Sequence, residues 1–177
     1  MLAGCVPQLP NSPSLDQQHR AAELLDSGTL LLRRAALDEA YGAFEVSYEL
    51  DPSAAALDGI GCVAFLRGEL IQARDYFLAA NELEPEYAPS LGHLALIYEL
   101  LGQSGVPGAK EASEILHRRA IALAPEDGIL RNNRAVSLGS DGRYSTASRE
   151  IFRAFAVLPH AIVDTNLQKI EEERRHD

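Results

Sequence analysis

Lysine is nearly missing from this chain. Of 177 residues only Lys110 and Lys169 are lysines, and 26 acidic residues stand against 16 basic ones, for a formal net charge of −10. Without a basic face the chain has no electrostatic footprint for nucleic acid, and the negative excess favours solubility and repulsion from anionic membrane surfaces. Cysteine is scarce too. Cys5 lies in an irregular leader and Cys62 in a helix-forming stretch, so a disulfide framework is not expected. No apolar run approaches the roughly 18 residues of a membrane-spanning helix. No segment alternates apolar and polar residues with the period of a strand.

The usual signatures of chemistry are missing as well. There is no G-x-S-x-G elbow and no phosphate-binding loop. His19, His93, His117, His160 and His176 are scattered, without a second His at i+4 or a Cys or Glu partner at zinc-ligand spacing. We therefore expect no metal, no cofactor and no catalytic residue. Gly59-Ile60-Gly61-Cys62-Val63-Ala64 matches G-x-G-x-x-A, but the fingerprint has meaning only between a strand and a helix. Here the lead-in is Ser53-Ala54-Ala55-Ala56-Leu57, a helix former. Glu82, Glu84 and Glu86 read as a solvated acidic rim.

What is present is a period. Leu57, Ile60, Gly61 and Ala64 fall at i, i+3, i+4 and i+7, the apolar stripe of a helix. Ala73, Phe77 and Ala80 mark a second helix. Gly68 between them suits the left-handed residue at a helix C-terminus, and Pro85 lacks the donor to continue the second helix. Small residues at 61 and 73 let the helices approach, with the Phe77 ring filling the gap.

The pattern recurs. Numbering Ala54 as position 1 places Leu24, Gly28, Leu31, Ala35, Ala40, Phe44, Ser47 and Pro52 in the same slots of a preceding unit. A third unit holds Leu91, Leu94, Ala95, Tyr98 and Gly102, then Ser113, His117 and Ala120, with His117 where an aromatic is usual. Pro85 to Pro125 is longer than the other intervals, and the excess falls in the Gly- and Pro-containing run 103–109. In a fourth unit Ala135, Leu138, Gly142, Ala147, Ile151 and Ala154 keep register, while Arg131 and Arg134 replace apolar residues.

This spacing resembles the tetratricopeptide repeat, TPR. The expected fold is all-α: a right-handed superhelix of about four helix-turn-helix repeats at 21–54, 54–87, 88–127 and 128–161, closed by a polar capping helix at 162–177. Ser14 and Gln17 look like a capping box that starts the first helix near Leu15. The resemblance implies a concave groove lined by Leu25, Thr29, Leu32, Asp58, Cys62, Phe65, Leu96, Glu99, Asn132 and Val136. TPR modules that clamp a C-terminal carboxylate carry Lys and Asn where this chain has Leu25 and Thr29, so a mostly apolar groove suits an amphipathic helix or an extended peptide instead. Asp58 and Glu99 would pair with basic residues of that partner.

Residues 1–13 read as a flexible leader in which Leu2-Ala3-Gly4-Cys5 resembles a bacterial lipobox. The resemblance implies lipidation at Cys5, although no basic and apolar signal segment precedes Leu2. A lipobox followed by TPR units is similar to the small outer-membrane lipoproteins of type IV and tight-adherence pilus assembly. That resemblance implies a non-catalytic adaptor at the periplasmic face of the bacterial outer membrane, holding a segment of a secretion or pilus component. The alternative is a soluble cytoplasmic chaperone resembling the small TPR chaperones of type III secretion.

Overall fold

Ser14 starts the first helix with the expected reciprocal cap. Its side chain accepts from the Gln17 backbone N–H while the Gln17 side chain accepts from the Ser14 N–H at 2.9 Å. The computed structural model describes residues 12–176, so the lipobox-like Leu2–Cys5 stretch lies outside the described residues. From Ser14 the chain runs as α1 (Leu15–Arg33), α2 (Leu37–Leu50), α3 (Ala54–Leu66), α4 (Leu70–Leu83), α5 (Ala88–Gln103), α6 (Ala109–Leu123), α7 (Gly128–Ser140), α8 (Tyr144–Val157) and α9 (Ala161–His176). Among the described residues there is no strand, and no helix is long and apolar enough to cross a membrane.

Odd and even helices pair as antiparallel hairpins, and all four odd-to-even turns close with the same backbone bond. Ala36 N–H donates to Leu31 O, Glu69 to Ala64, Val106 to Leu101 and Arg143 to Leu138, a closure in which a left-handed residue lets the chain reverse. Gly68 takes that conformation at φ 78°. Ala35 holds the same place in the first turn at φ 57°, where its Cβ costs about 1–2 kcal/mol that glycine avoids.

Helices α2, α4 and α8 each deliver an alanine and an aromatic or aliphatic side chain into their hairpins, whereas α6 delivers Ser113 and His117. Ala40, Ala73, Ala147 and Ile151 are fully enclosed, and Phe44 and Phe77 nearly so. The glycines of the facing helices explain the fit. A Cβ on Gly61 would stand 2.5 Å from Phe77 Cε1, and one on Gly28 would stand 2.7 Å from Phe44 Cε1. Both are too close to accommodate without movement, so the interior is keyed to glycine against aromatic.

The third unit accommodates its extra length in three places. Helix α5 has 16 residues against 13 for α3 and α7, its turn to α6 runs from Ser104 to Gly108, and α6 gains one residue over α4. The extension is thus only partly in the loop, because Leu100, Leu101, Gly102 and Gln103 continue the helix for most of another turn.

The fourth unit carries charge where the second and third carry apolar side chains. Arg131 and Arg134 on α7 turn toward Glu150 on α8, with Arg131 Nη1 3.0 Å and Arg134 Nη1 3.5 Å from its carboxylate, and Arg153 adds a contact at 3.5 Å. Arg131 also donates through Nε to the Pro125 carbonyl at 2.8 Å. A buried carboxylate is tolerable there because two guanidinium groups satisfy it. Helix α9 covers the end of the stack with Val163 and Ile170 buried against Ala135, Leu138 and Ile151. Its Ala161 is exposed and Leu167 only partly covered.

Curvature follows from which helices meet across units. Consecutive odd helices touch, α1 with α3, α3 with α5, α5 with α7 and α7 with α9, whereas no pair of even helices does among the described residues. Elements that approach one another lie on the inside of a bend. The odd helices therefore line the concave side of a right-handed superhelix, and any groove is built from them.

Candidate functional site

Three odd helices converge on one apolar recess. Leu32 comes from α1, Cys62, Phe65 and Leu66 from the last turns of α3, and His93 and Leu96 from α5, with Phe77 of α4 beneath them; the recess holds about 240 Å³. The helical period explains the set. Cys62, Phe65 and Leu66 stand at i, i+3 and i+4, one face of α3, and His93 and Leu96 stand at i and i+3 on α5. Phe65 and Cys62 are half-buried and pack against the core of Ala64, Ala73, Phe77, Leu94 and Ile97. Leu66 is 55% exposed, so the rim of the recess is open to a visitor.

Of the residues expected in the groove, the structure brings Leu32, Cys62, Phe65 and Leu96 together here. Glu99 and Val136 share a separate recess of about 210 Å³ beside Lys110 and Asp141. Leu25 packs against the first core, next to Phe44 and Val63, and Thr29 is exposed with its hydroxyl donating to the Leu25 carbonyl at 3.0 Å. Asn132 is buried and accepts from Asn166 Nδ2 at 2.9 Å, tying α7 to α9.

The two groove acids differ in their surroundings. Asp58 is buried, with its Oδ1 2.8 Å from His93 Nδ1. Glu99 faces the enclosed His117, 3.6 Å from its Nε2. Neither ring nitrogen of His117 has a hydrogen-bond partner, nor does Ser113 Oγ beside it. A basic partner face could therefore rest on Glu99, which also lines a recess, whereas Asp58 is turned inward by His93. The acidic rim is also partly engaged: Glu84 accepts from the Ala54 N–H at the start of α3, at 2.8 Å.

His93 is the site residue that sequence inspection passes over. Its ring lies 5.0 Å from the Phe77 ring at a 34° tilt, and Cys62 Sγ stands 3.7 Å from Nδ1 and 3.9 Å from Nε2. Burial works against the charged ring. The negative charge of Asp58 and its hydrogen bond, with Cys62 adding to both effects, outweigh that burial and hold the imidazole well above its ordinary pKa. The link contributes stability that is complete below the ordinary histidine value and fades as pH rises through the raised one. A signal existed in the sequence: Asp58 and Cys62 are one helical turn apart, and His93 follows Asp58 by about one repeat length, which in a stack means adjacency.

No protein-family model matches the chain, and no curated protein matches it in sequence. Solved structures do. TTC0263, a thermophilic TPR protein of Thermus thermophilus, is similar at TM-score 0.76 and 18% identity over 85% of this chain and 80% of that one. MamA is similar at TM-score 0.56 and 18% identity, over 92% and 85% of the two chains. YrrB, a TPR protein with an unusual peptide-binding site, is similar at TM-score 0.55 and 21% identity, over 88% and 78%. At such identities the likeness speaks to architecture, and with four helical hairpins, two of them keyed by glycine against phenylalanine, curved around their odd helices this chain has the tetratricopeptide-repeat fold.

Proposed function

We propose that the chain is a non-catalytic adaptor that holds a segment of a partner protein on its concave side, with an apolar side chain of that segment seated between Leu32, Phe65, Leu66 and Leu96. The open apolar recess carries the reading. An apolar hollow on a solvated surface gains by being covered, and a TPR protein of similar architecture is described by its peptide-binding site. With Asp58 paired internally to His93, the partner is recognised chiefly by an apolar anchor.

Leu66→Glu tests this at the exposed rim. Because Leu66 is largely solvated, the change should alter stability by no more than about 0.5 kcal/mol. Capture of the native partner should fall about 30-fold, as for a hot spot worth about 2 kcal/mol. Leu15→Glu, at an 85% exposed position far from the recess, serves as the control. Equal capture by parent, Leu66→Glu and Leu15→Glu would show that the recess is not the site.

The same reading places the adaptor at the periplasmic face of the bacterial outer membrane, anchored through Cys5, in the assembly of a secretion or pilus complex. Its support is the Leu2-Ala3-Gly4-Cys5 sequence followed by a Pro-containing stretch. Stable anchoring takes two membrane signals, which the multiple acyl chains of a lipobox cysteine would supply. Cys5→Ser should move the protein expressed from its native gene from membrane to soluble fractions. An intact mass showing unmodified Cys5 in native membranes would remove the anchor and favour the soluble secretion chaperone.

A further inference from the structure

We propose that Asp58, Cys62 and His93 form a zinc site that ties the second repeat to the third. One oxygen, one sulfur and one nitrogen donor from two helices have their ligand atoms all within 4.8 Å of one another. Donors bound at ~2.0–2.3 Å in a tetrahedral arrangement stand ~3.3–3.6 Å apart. Cys62 Sγ stands 3.7 Å from His93 Nδ1 and 3.9 Å from Nε2, so the thiol has to swing toward the Nδ1 side to share an ion with it. Asp58 Oδ1 and His93 Nδ1, at 2.8 Å, need to part by only about half an ångström to admit an ion at tetrahedral angles.

The donor set selects the metal. A thiolate with an imidazole suits zinc, whereas calcium and magnesium take oxygen ligands. Charge balances as well: one thiolate and one carboxylate neutralise the divalent ion in a half-buried place. Binding releases to solvent the thiol proton of Cys62 and the proton that His93 shares with Asp58. The ion thereby replaces that proton as the link between the two repeats. Because Cys62 and His93 both line the apolar recess, the fourth position opens on it and would hold water.

A cysteine nucleophile activated by His93 is the competing use of these residues. A thiol-imidazole-carboxylate relay sets the thiol and the carboxylate on opposite ring nitrogens. Here Cys62 Sγ is nearly equidistant from Nδ1, which Asp58 holds, and Nε2, at 3.7 and 3.9 Å, so a thiolate-to-metal band decides between the two uses.

Cobalt(II) is the probe, added to the metal-stripped full-length chain carrying Cys5→Ser so that only Cys62 can supply a thiolate. We expect a thiolate-to-cobalt absorption band with the d–d bands of a tetrahedral site, complete at one equivalent and displaced by zinc. Cys62→Ala should abolish the thiolate band, and His93→Gln and Asp58→Asn should each weaken binding at least tenfold. Zinc should raise the melting temperature of the Cys5→Ser chain and leave that of the Cys62→Ala derivative unchanged, a comparison that does not depend on the other two variants folding. Cobalt uptake without a thiolate band, as at surface histidines, would overturn the proposal. So would a thiolate band that survives Cys62→Ala, or unchanged affinity in a folded His93→Gln variant.

Discussion

Replacing Glu150 with alanine is expected to destabilise the chain by about 3–5 kcal/mol, the cost of leaving a buried charge without its partner. Glu150 is 9% exposed at the side chain, and the side chains of Arg131 and Arg134 that face it are 13% and 17% exposed. Arg134 Nε is enclosed with no hydrogen-bond partner, so without the carboxylate that side chain would keep its charge with little to satisfy it. Arg153, 65% exposed, can turn to water and adds little. A triple change, Arg131→Leu with Arg134→Leu and Glu150→Leu, should restore stability to near or above that of the parent. Apolar side chains can replace a buried ionic cluster without loss, and the second and third repeats have apolar residues, Leu57 with Ile60 and Leu91 with Leu94, at the two α7 positions. The restoration will be reduced by whatever the Pro125 carbonyl loses when Arg131 no longer donates to it. Urea denaturation measures both. A loss below about 1 kcal/mol for Glu150→Ala would show the cluster to be solvated and mobile.

The contrast between this cluster and the glycine-keyed repeats shows what a sequence carries openly. Gly28, Gly61, Phe44 and Phe77 were legible because the contact each makes is local. Two helices joined by a short turn must pack, and the period of 3.6 says which faces meet. Arg131 and Arg134 broke that pattern visibly, but Glu150 did not show itself, since a lone acid on a helix normally faces water. Only the two arginines opposite make its burial tolerable. Similarly, Asp58, Cys62 and His93 were hidden by distance along the chain: their pairing is set by the packing of α3 on α5 rather than by spacing within one helix. The split of the extra residues among α5, its turn and α6 was equally hidden, because Leu100 and Leu101 extend a helix as readily as they end one.

The second large effect belongs to Phe44, and its partner change reverses sign. Phe44 on α2 is 2% exposed and wedged between two neighbours, since a Cβ on Gly28 of α1 would stand 2.7 Å from its ring and one on Gly59 of α3 would stand 2.6 Å from it. The ring therefore joins the first repeat to the second. Phe44→Ala should cost about 3–5 kcal/mol, the range for an enclosed aromatic truncated to alanine. In the parent, Gly59→Ala should be destabilising by about 1–3 kcal/mol through overpacking, partly offset by the roughly 0.5–1 kcal/mol that alanine gains over glycine inside a helix. In the Phe44→Ala chain the clash is gone and only the helical gain remains, so the same Gly59→Ala change should stabilise by about 0.5–1 kcal/mol. Chemical denaturation of the four proteins gives the coupling directly. If Phe44→Ala is too unstable to measure, Phe44→Leu provides a milder background in which the penalty for Gly59→Ala should shrink. Gly59→Ala costing the same with and without the ring would mean that the two residues do not touch, and that the first two repeats are held together elsewhere.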